Sequence, residues 1–113
     1  MKFRDVNPIS REDGLKLIES SDPDKICDAL VRLTYHDSDG EWVQNLCLRL
    51  AKHPSSDVRG AVATCFGHLA RIHRRLDLGK VKNALSSMRT DDKLAGRVED
   101  ALDDIRMFAE DSG

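Results

Sequence analysis

The chain repeats itself with a period in the high thirties, and this constrains its fold more than any single motif. Displacing the sequence by 36 residues lays Val58 on Leu94, Val62 on Val98, Cys65 on Ala101, Phe66 on Leu102, Leu69 on Ile105 and Ile72 on Phe108. Every overlaid pair is apolar. A displacement of 38 lays Val43, Leu46, Cys47 and Leu50 on Val81, Ala84, Leu85 and Met88, and a looser match at 32 places Ile26, Ala29 and Leu30 on Val58, Ala61 and Val62. Self-similarity at a fixed period means that one supersecondary unit recurs, each copy burying its apolar stripe against its neighbours.

Within each unit the apolar spacing is helical and the punctuation matches. Ser10 with Asp13 resembles a capping box that opens a short helix carrying Leu15, Leu17 and Ile18. Asp22-Pro23 opens a second with Ile26, Ala29, Leu30 and Leu33, and HDSDG (36–40) closes it. From Glu41 a third helix carries Val43, Leu46, Cys47 and Leu50 until His53-Pro54, since a proline disfavours helical geometry in the residue before it. Ser55, Ser56 and Asp57 supply caps for a long fourth helix with Val58, Ala61, Val62, Cys65, Leu69 and Ile72 as its stripe. A fifth starts near Asp77, and a sixth follows Thr90-Asp91-Asp92 and runs to Phe108. No segment alternates with period two, so the sequence predicts no strand.

Two helices per unit at this period describe an α-solenoid. Ser55 to Ala70, SSDVRGAVATCFGHLA, resembles the second helix of a HEAT repeat: Asp57-Val58-Arg59, small residues after it, then a hydrophobic-Gly-x-Leu at Phe66 to Leu69. The resemblance covers roughly residues 22–109, and the first two helices depart from the pattern, so the first unit reads as a degenerate cap. The expected fold is all-α: a short HEAT-like solenoid of about three antiparallel helix pairs, one domain over 1–113, with units near 10–36, 41–73 and 77–109.

Composition supports that reading and narrows the function. Aromatics are 4% of the chain, too few for an aromatic-rich sandwich or barrel, while 40% apolar residues are too many for a disordered one. No apolar run approaches the roughly 20 residues of a membrane span, and MKFRDVNPIS lacks the apolar region of a secretory signal, so a cytoplasmic, membrane-free protein is expected. Cys27, Cys47 and Cys65 are odd in number and contain no C-x-x-C pair, against both a disulfide framework and a cysteine zinc site.

The residues also offer no catalytic, cofactor or metal constellation. His68 and His73, five apart, point about 140° from one another and do not converge on one ion. A Cys65–His68 nucleophile pair is conceivable, but Cys65 sits on the apolar stripe, where a buried inert thiol is expected. Gly60, Gly67, Gly79 and Gly96 form neither G-x-G-x-x-G nor a P-loop, and the two within the fourth helix suit close packing of neighbouring helices.

Charge is the remaining signal. The net −2 separates into −4 over residues 1–48, +7 over 49–97 and −5 over 98–113. The basic middle, Arg71, Arg74, Arg75 and Lys82, is a candidate nucleic-acid surface, opposed by the acidic flanks, a pI near 6.1 and the lack of an aromatic series for base stacking. At the other end Glu99, Asp100, Asp103 and Asp104 gather on the outward arc of the sixth helix. Either a cationic partner retains them against their mutual repulsion, or Arg59, Arg71 or Arg97 neutralises them internally. On the second helix Asp28, Arg32 and Tyr35 share a face near Trp42, and both rings are anchors if exposed and filling if buried.

The whole chain, most closely W42-V-Q-N-L-C-L, H53-P-S-S-D-V-R-G-A, G67-H-L-A-R-I-H and A95-G-R-V-E-D-A-L-D-D-I, resembles small bacterial HEAT-repeat proteins, among them immunity proteins of contact-dependent inhibition and related polymorphic toxin systems. The resemblance implies a non-enzymatic protein, monomeric when free, that covers the active site of a cognate, basic, nuclease-like toxin domain. Asp100, Asp103, Asp104, Glu99, Asp28 and Tyr35 are then the expected partner-binding residues, and no cofactor is implied. An adaptor of a housekeeping enzyme is the other protein-binding reading.

Overall fold

Five of the six helices open on a capping side chain, and those caps set where the chain turns. Ser10 accepts from the Asp13 amide, Asp22 from Asp24, Asp39 from Trp42, Ser55 from Val58 and Asp77 from Lys80. The computed structural model describes residues 7–112; residues 1–6 and 113, which the one-domain reading included, lie outside the described residues. The elements are α1 (Arg11–Ile18), α2 (Pro23–His36), α3 (Gly40–Leu50), α4 (Ser56–His73), β1 (Arg75–Leu76), α5 (Leu78–Met88), α6 (Ala95–Phe108) and β2 (Glu110–Asp111).

The 18-residue α4 spans the molecule, since at 1.5 Å per residue it is about 27 Å long. It packs against α2 along one side and α6 along another, with α3 also against it; α1 lies on α2, and α5 on α6. Val58, Val62, Cys65, Phe66 and Leu69 of α4 are wholly buried, as are Val43, Cys47, Val81 and Leu85. One continuous core results, and the radius of gyration, 12.8 Å, matches the roughly 13 Å of a compact domain of this length.

Glycines let α4 and α6 approach. A Cβ on Gly60 would meet the Arg97 guanidinium at 3.1 Å and Leu94 at 3.2 Å, and one on Gly67 would reach an Asp104 carboxylate oxygen at 2.8 Å. The expected close packing at these positions is therefore observed.

Two sequence expectations change. The predicted absence of strands gives way to a two-residue parallel ladder, Arg75 beside Glu110 and Leu76 beside Asp111. Arg74 turns left-handed at the end of α4 (φ 59°), which leaves Arg75 and Leu76 extended; Leu76 then plugs the core, and its carbonyl accepts from Ser112 at 2.9 Å. A pair this short is invisible to an alternation test. The sixth helix follows Thr90-Asp91-Asp92 and ends at Phe108 as expected; it starts at Ala95 with no side-chain cap, and Asp91 accepts from the Lys93 amide and pairs with Arg59 at 3.5 Å. Ile72, overlaid on Phe108 in the repeat, is 44% exposed, whereas Phe108 is half-buried with the Arg74 guanidinium 5.5 Å from its ring centre.

No helix among the described residues is long and apolar enough to cross a membrane.

Candidate interaction groove

Helices α2, α4 and α6 each turn one polar stripe outward, and the three stripes meet in a trough along α4. A cavity of about 480 Å³ between α2, α4 and α6 is lined by Asp24, Cys27 and Val31, by Asp57, Ala61 and Thr64, and by Arg97. A second of about 390 Å³ lies between α4 and α6, where Thr64, Gly67, His68 and Arg71 face Arg97, Asp100, Ala101, Asp103 and Asp104. Thr64 and Arg97 belong to both, so the two cavities adjoin along α4 and are taken together as one groove. Helical spacing explains the membership: 57, 61, 64, 68 and 71 follow one another at 4, 3, 4 and 3 along α4.

The expected partner residues divide within this geometry. Asp100, Asp103 and Asp104 line the α4–α6 cavity together. Glu99 leaves the group and pairs with Arg89 at 3.1 Å. Asp104, its side chain only 20% exposed, is held by Arg71 at 3.1 Å, and Asp103 pairs with Arg106 one turn on. Asp28 pairs with Arg32 at 3.2 Å, whose guanidinium also donates to the Asn7 and Pro8 carbonyls. Internal arginines thus neutralise most of the predicted acidic arc, and Arg71 is the one anticipated arginine that does so. Asp100 alone of those four α6 carboxylates forms no ion pair among the described residues, and the same holds for Asp24, Asp57 and Arg97 around the groove.

Tyr35 reaches the groove through His68. Its hydroxyl lies 3.3 to 3.4 Å from both ring nitrogens, the ring centres are 4.8 Å apart, and Tyr35 stays 42% exposed. Burial, with Arg71 nearby and against the pull of Asp104, lowers the His68 pKa below its ordinary 6.5, so the imidazole is neutral at pH 7. Trp42 takes the other course: it is half-buried against the core, and Arg11 covers its ring at 4.2 Å while donating to both Asp37 oxygens at 2.7 and 2.8 Å.

The three cysteines are buried free thiols. Burial, with Asp57 close by, pushes the Cys27 thiol up to about 11, where it donates to the Asp57 carbonyl at 3.5 Å. Cys47, hydrogen-bonded to Cys65 and wholly buried, is raised well above its ordinary value. No group of three His, Cys, Asp or Glu with metal-holding geometry occurs among the described residues. The basic candidates separate as well: Arg71 sits in the acidic groove, whereas Lys82 lines a different hollow with Arg89 and Arg106.

Sequence reasoning missed Asp57, Thr64, His68 and Arg97 as members of one site. Their signal is the helical stripe itself, which reads as a site only once the neighbouring helices are known.

No family model matches the chain, and no curated protein matches its sequence. Among solved structures it is similar to a chain in the crystal structure of a CDI complex from Cupriavidus taiwanensis LMG 19424, at 30% sequence identity and a TM-score of 0.82, over 97% of this chain and 99% of that one.

Proposed function

The chain belongs to the family of that CDI-complex subunit, and on this premise we propose that it is a non-catalytic immunity protein that binds and neutralises a cognate toxin domain. The near-complete coverage of both chains at 30% identity is the observation that carries the reading. Its six helices are read as three stacked antiparallel pairs, 10–36, 41–73 and 77–109, a short HEAT-like solenoid whose second helices α2, α4 and α6 line the groove. The protein works in the cytoplasm as a free monomer until it meets the toxin.

Neutralisation needs an occluding surface rather than a reaction. A nuclease-like toxin has a cationic cleft for its substrate, and an acidic surface competes for that cleft and accelerates encounter. Asp100, Asp103 and Asp104 sit together for this, with Tyr35 as a half-exposed ring at the edge and Glu99 and Asp28 on the flanks. Asp100 ranks first, because its charge is not engaged by an arginine.

The test is pull-down of the chain's partner from its host, followed by co-expression with the toxin domain so identified. The reading expects that domain to arrest growth alone and to be tolerated, and co-purified, with this chain. Growth arrest unchanged by the chain and no complex would overturn it. Asp100→Lys with Asp103→Lys should weaken the complex about 100-fold, the scale of losing close charge pairs at an interface. Asp104 is spared because it packs on Gly67 and holds Arg71.

A further inference from the structure

We infer that the groove along α4 seats one extended segment of the partner polypeptide, cationic at both ends and carrying a hydrogen-bond acceptor at its centre. This rests on the partner-binding reading and specifies how that partner is held. Four observations lead to it.

The two cavities adjoin, with Thr64 and Arg97 lining both. From Asp57 to Arg71 the stripe runs about 21 Å along the helix, which an extended chain of about six residues covers at 3.3 Å per residue.

The floor is small. Ala61, Thr64, Gly67 and Ala101 line it, and at Gly67 the Asp104 carboxylate packs where a Cβ would stand, 2.8 Å away, so a seated segment lies on small side chains.

The unpaired charges are ordered. Asp24 and Asp57 stand at the α2 end and Asp100 towards the other, none in an ion pair among the described residues, while the unpaired Arg97 lies between them. Cations at the two ends of a segment and a carboxylate or carbonyl at its middle complement that order. A nucleic-acid strand, with a phosphate at every step, meets three unpaired carboxylates and is repelled.

The far end is aromatic. Tyr35 stacks on His68 and remains 42% exposed, so a terminal cationic side chain can lie over the Tyr35 ring as well as beside a carboxylate.

Placing a bulky group at the middle of the groove tests this. Thr64→Cys and, on the separate α3–α5 hollow, Asn83→Cys are each labelled with fluorescein maleimide; the three native cysteines are buried, and the wild type serves as the labelling control. Binding to the toxin domain identified by pull-down is then titrated by calorimetry, with helical circular dichroism as the check on folding. The labelled Thr64→Cys protein should bind at least about 100-fold more weakly than its unlabelled form, the loss expected for a blocked interface centre, and the labelled Asn83→Cys protein within about twofold of its own. Should the label disturb the fold, Asp24→Asn with Asp57→Asn takes its place, with an expected loss of about tenfold that shrinks as salt rises. Tight binding by labelled Thr64→Cys overturns the seated segment while leaving the immunity reading intact. No complex from the unlabelled proteins overturns that reading, and this inference with it. Competition by single-stranded RNA for the groove would assign it to nucleic acid and overturn the inference alone.

Discussion

Two hollows of similar size differ in charge, and the difference separates a site from a surface. The α4–α6 cavity, about 390 Å³, gathers Asp100, Asp103 and Asp104 with Arg71 and Arg97; the hollow between α3 and α5, about 350 Å³, has Lys52 and Lys80 beside Leu48, Ala51, Asn83, Ala84 and Ser87. Both are floored by small residues because both lie between helices packed through them. What distinguishes the first is a histidine ring set at 44° against Tyr35, the Asp104 carboxylate answered by Arg71 on the adjoining helix and Asp103 by Arg106 on its own, and a few charges left unanswered. Volume comes from helix packing in either place. The chemistry comes from which stripe the helix turns outward.

The largest test breaks both hollows at once. Phe66 is wholly buried in α4, and Phe66→Ala should cost about 3–5 kcal/mol by urea unfolding, the range for a buried aromatic truncated in a core. A cost near zero would mean that α4 is not the shared centre of the fold. Next comes the junction of α3 with α4. A Cβ on Gly40 would lie 2.6 Å from the His73 ring, so Gly40→Ala should lose about 1–3 kcal/mol through overpacking while leaving the groove's partner affinity unchanged.

Smaller effects separate the two regions by pH. Asp37, held low by its hydrogen bond to Arg11 despite burial, contributes stability that is present at neutral pH and lost as pH falls through its depressed titration range. Arg11→Met should therefore flatten the acid limb of the stability profile below pH 4 on the α1–α3 side. His68 has the opposite cause and the same direction: its folded pKa lies below 6.5, so the unfolded chain takes a proton first and stability declines as pH falls through 6.5. His68→Gln should remove that step, measured as melting temperature across pH 5 to 8. The least effect is expected from Lys52→Glu with Lys80→Glu, which should shift partner affinity by less than about 1 kcal/mol, as charges outside an interface do.

Much of this fold is written in the chain. The cap residues Ser10, Asp22, Ser55 and Asp77 place four helix starts, because a side-chain oxygen accepting an early amide is a local event. The apolar character that the overlays of Val58 on Leu94 and Val62 on Val98 picked out corresponds to burial, for all four residues are in the core. Leu76 illustrates what was hidden: its burial depends on Arg74 turning left-handed and on the distant Glu110–Asp111 segment, and no window of sequence contains both. The site was half legible for the same reason. Asp100, Asp103 and Asp104 are neighbours on one helix and could be grouped from spacing, whereas pairing Asp104 with Arg71, or Tyr35 with His68, joins residues 33 apart. Glu99 was grouped with them although its partner, Arg89, pulls it towards α5.

The central claim is that the groove, and not the α3–α5 hollow, receives the partner. Methyl resonances report on it directly, for Ala61, Thr64 and Ala101 line the first, and Ala51 and Ala84 the second. Titrating the methyl-labelled chain with the toxin domain identified by pull-down should shift or broaden Ala61, Thr64 and Ala101 and leave Ala51 and Ala84 in place. Perturbation of Ala51 and Ala84 with the other three unmoved would contradict the account.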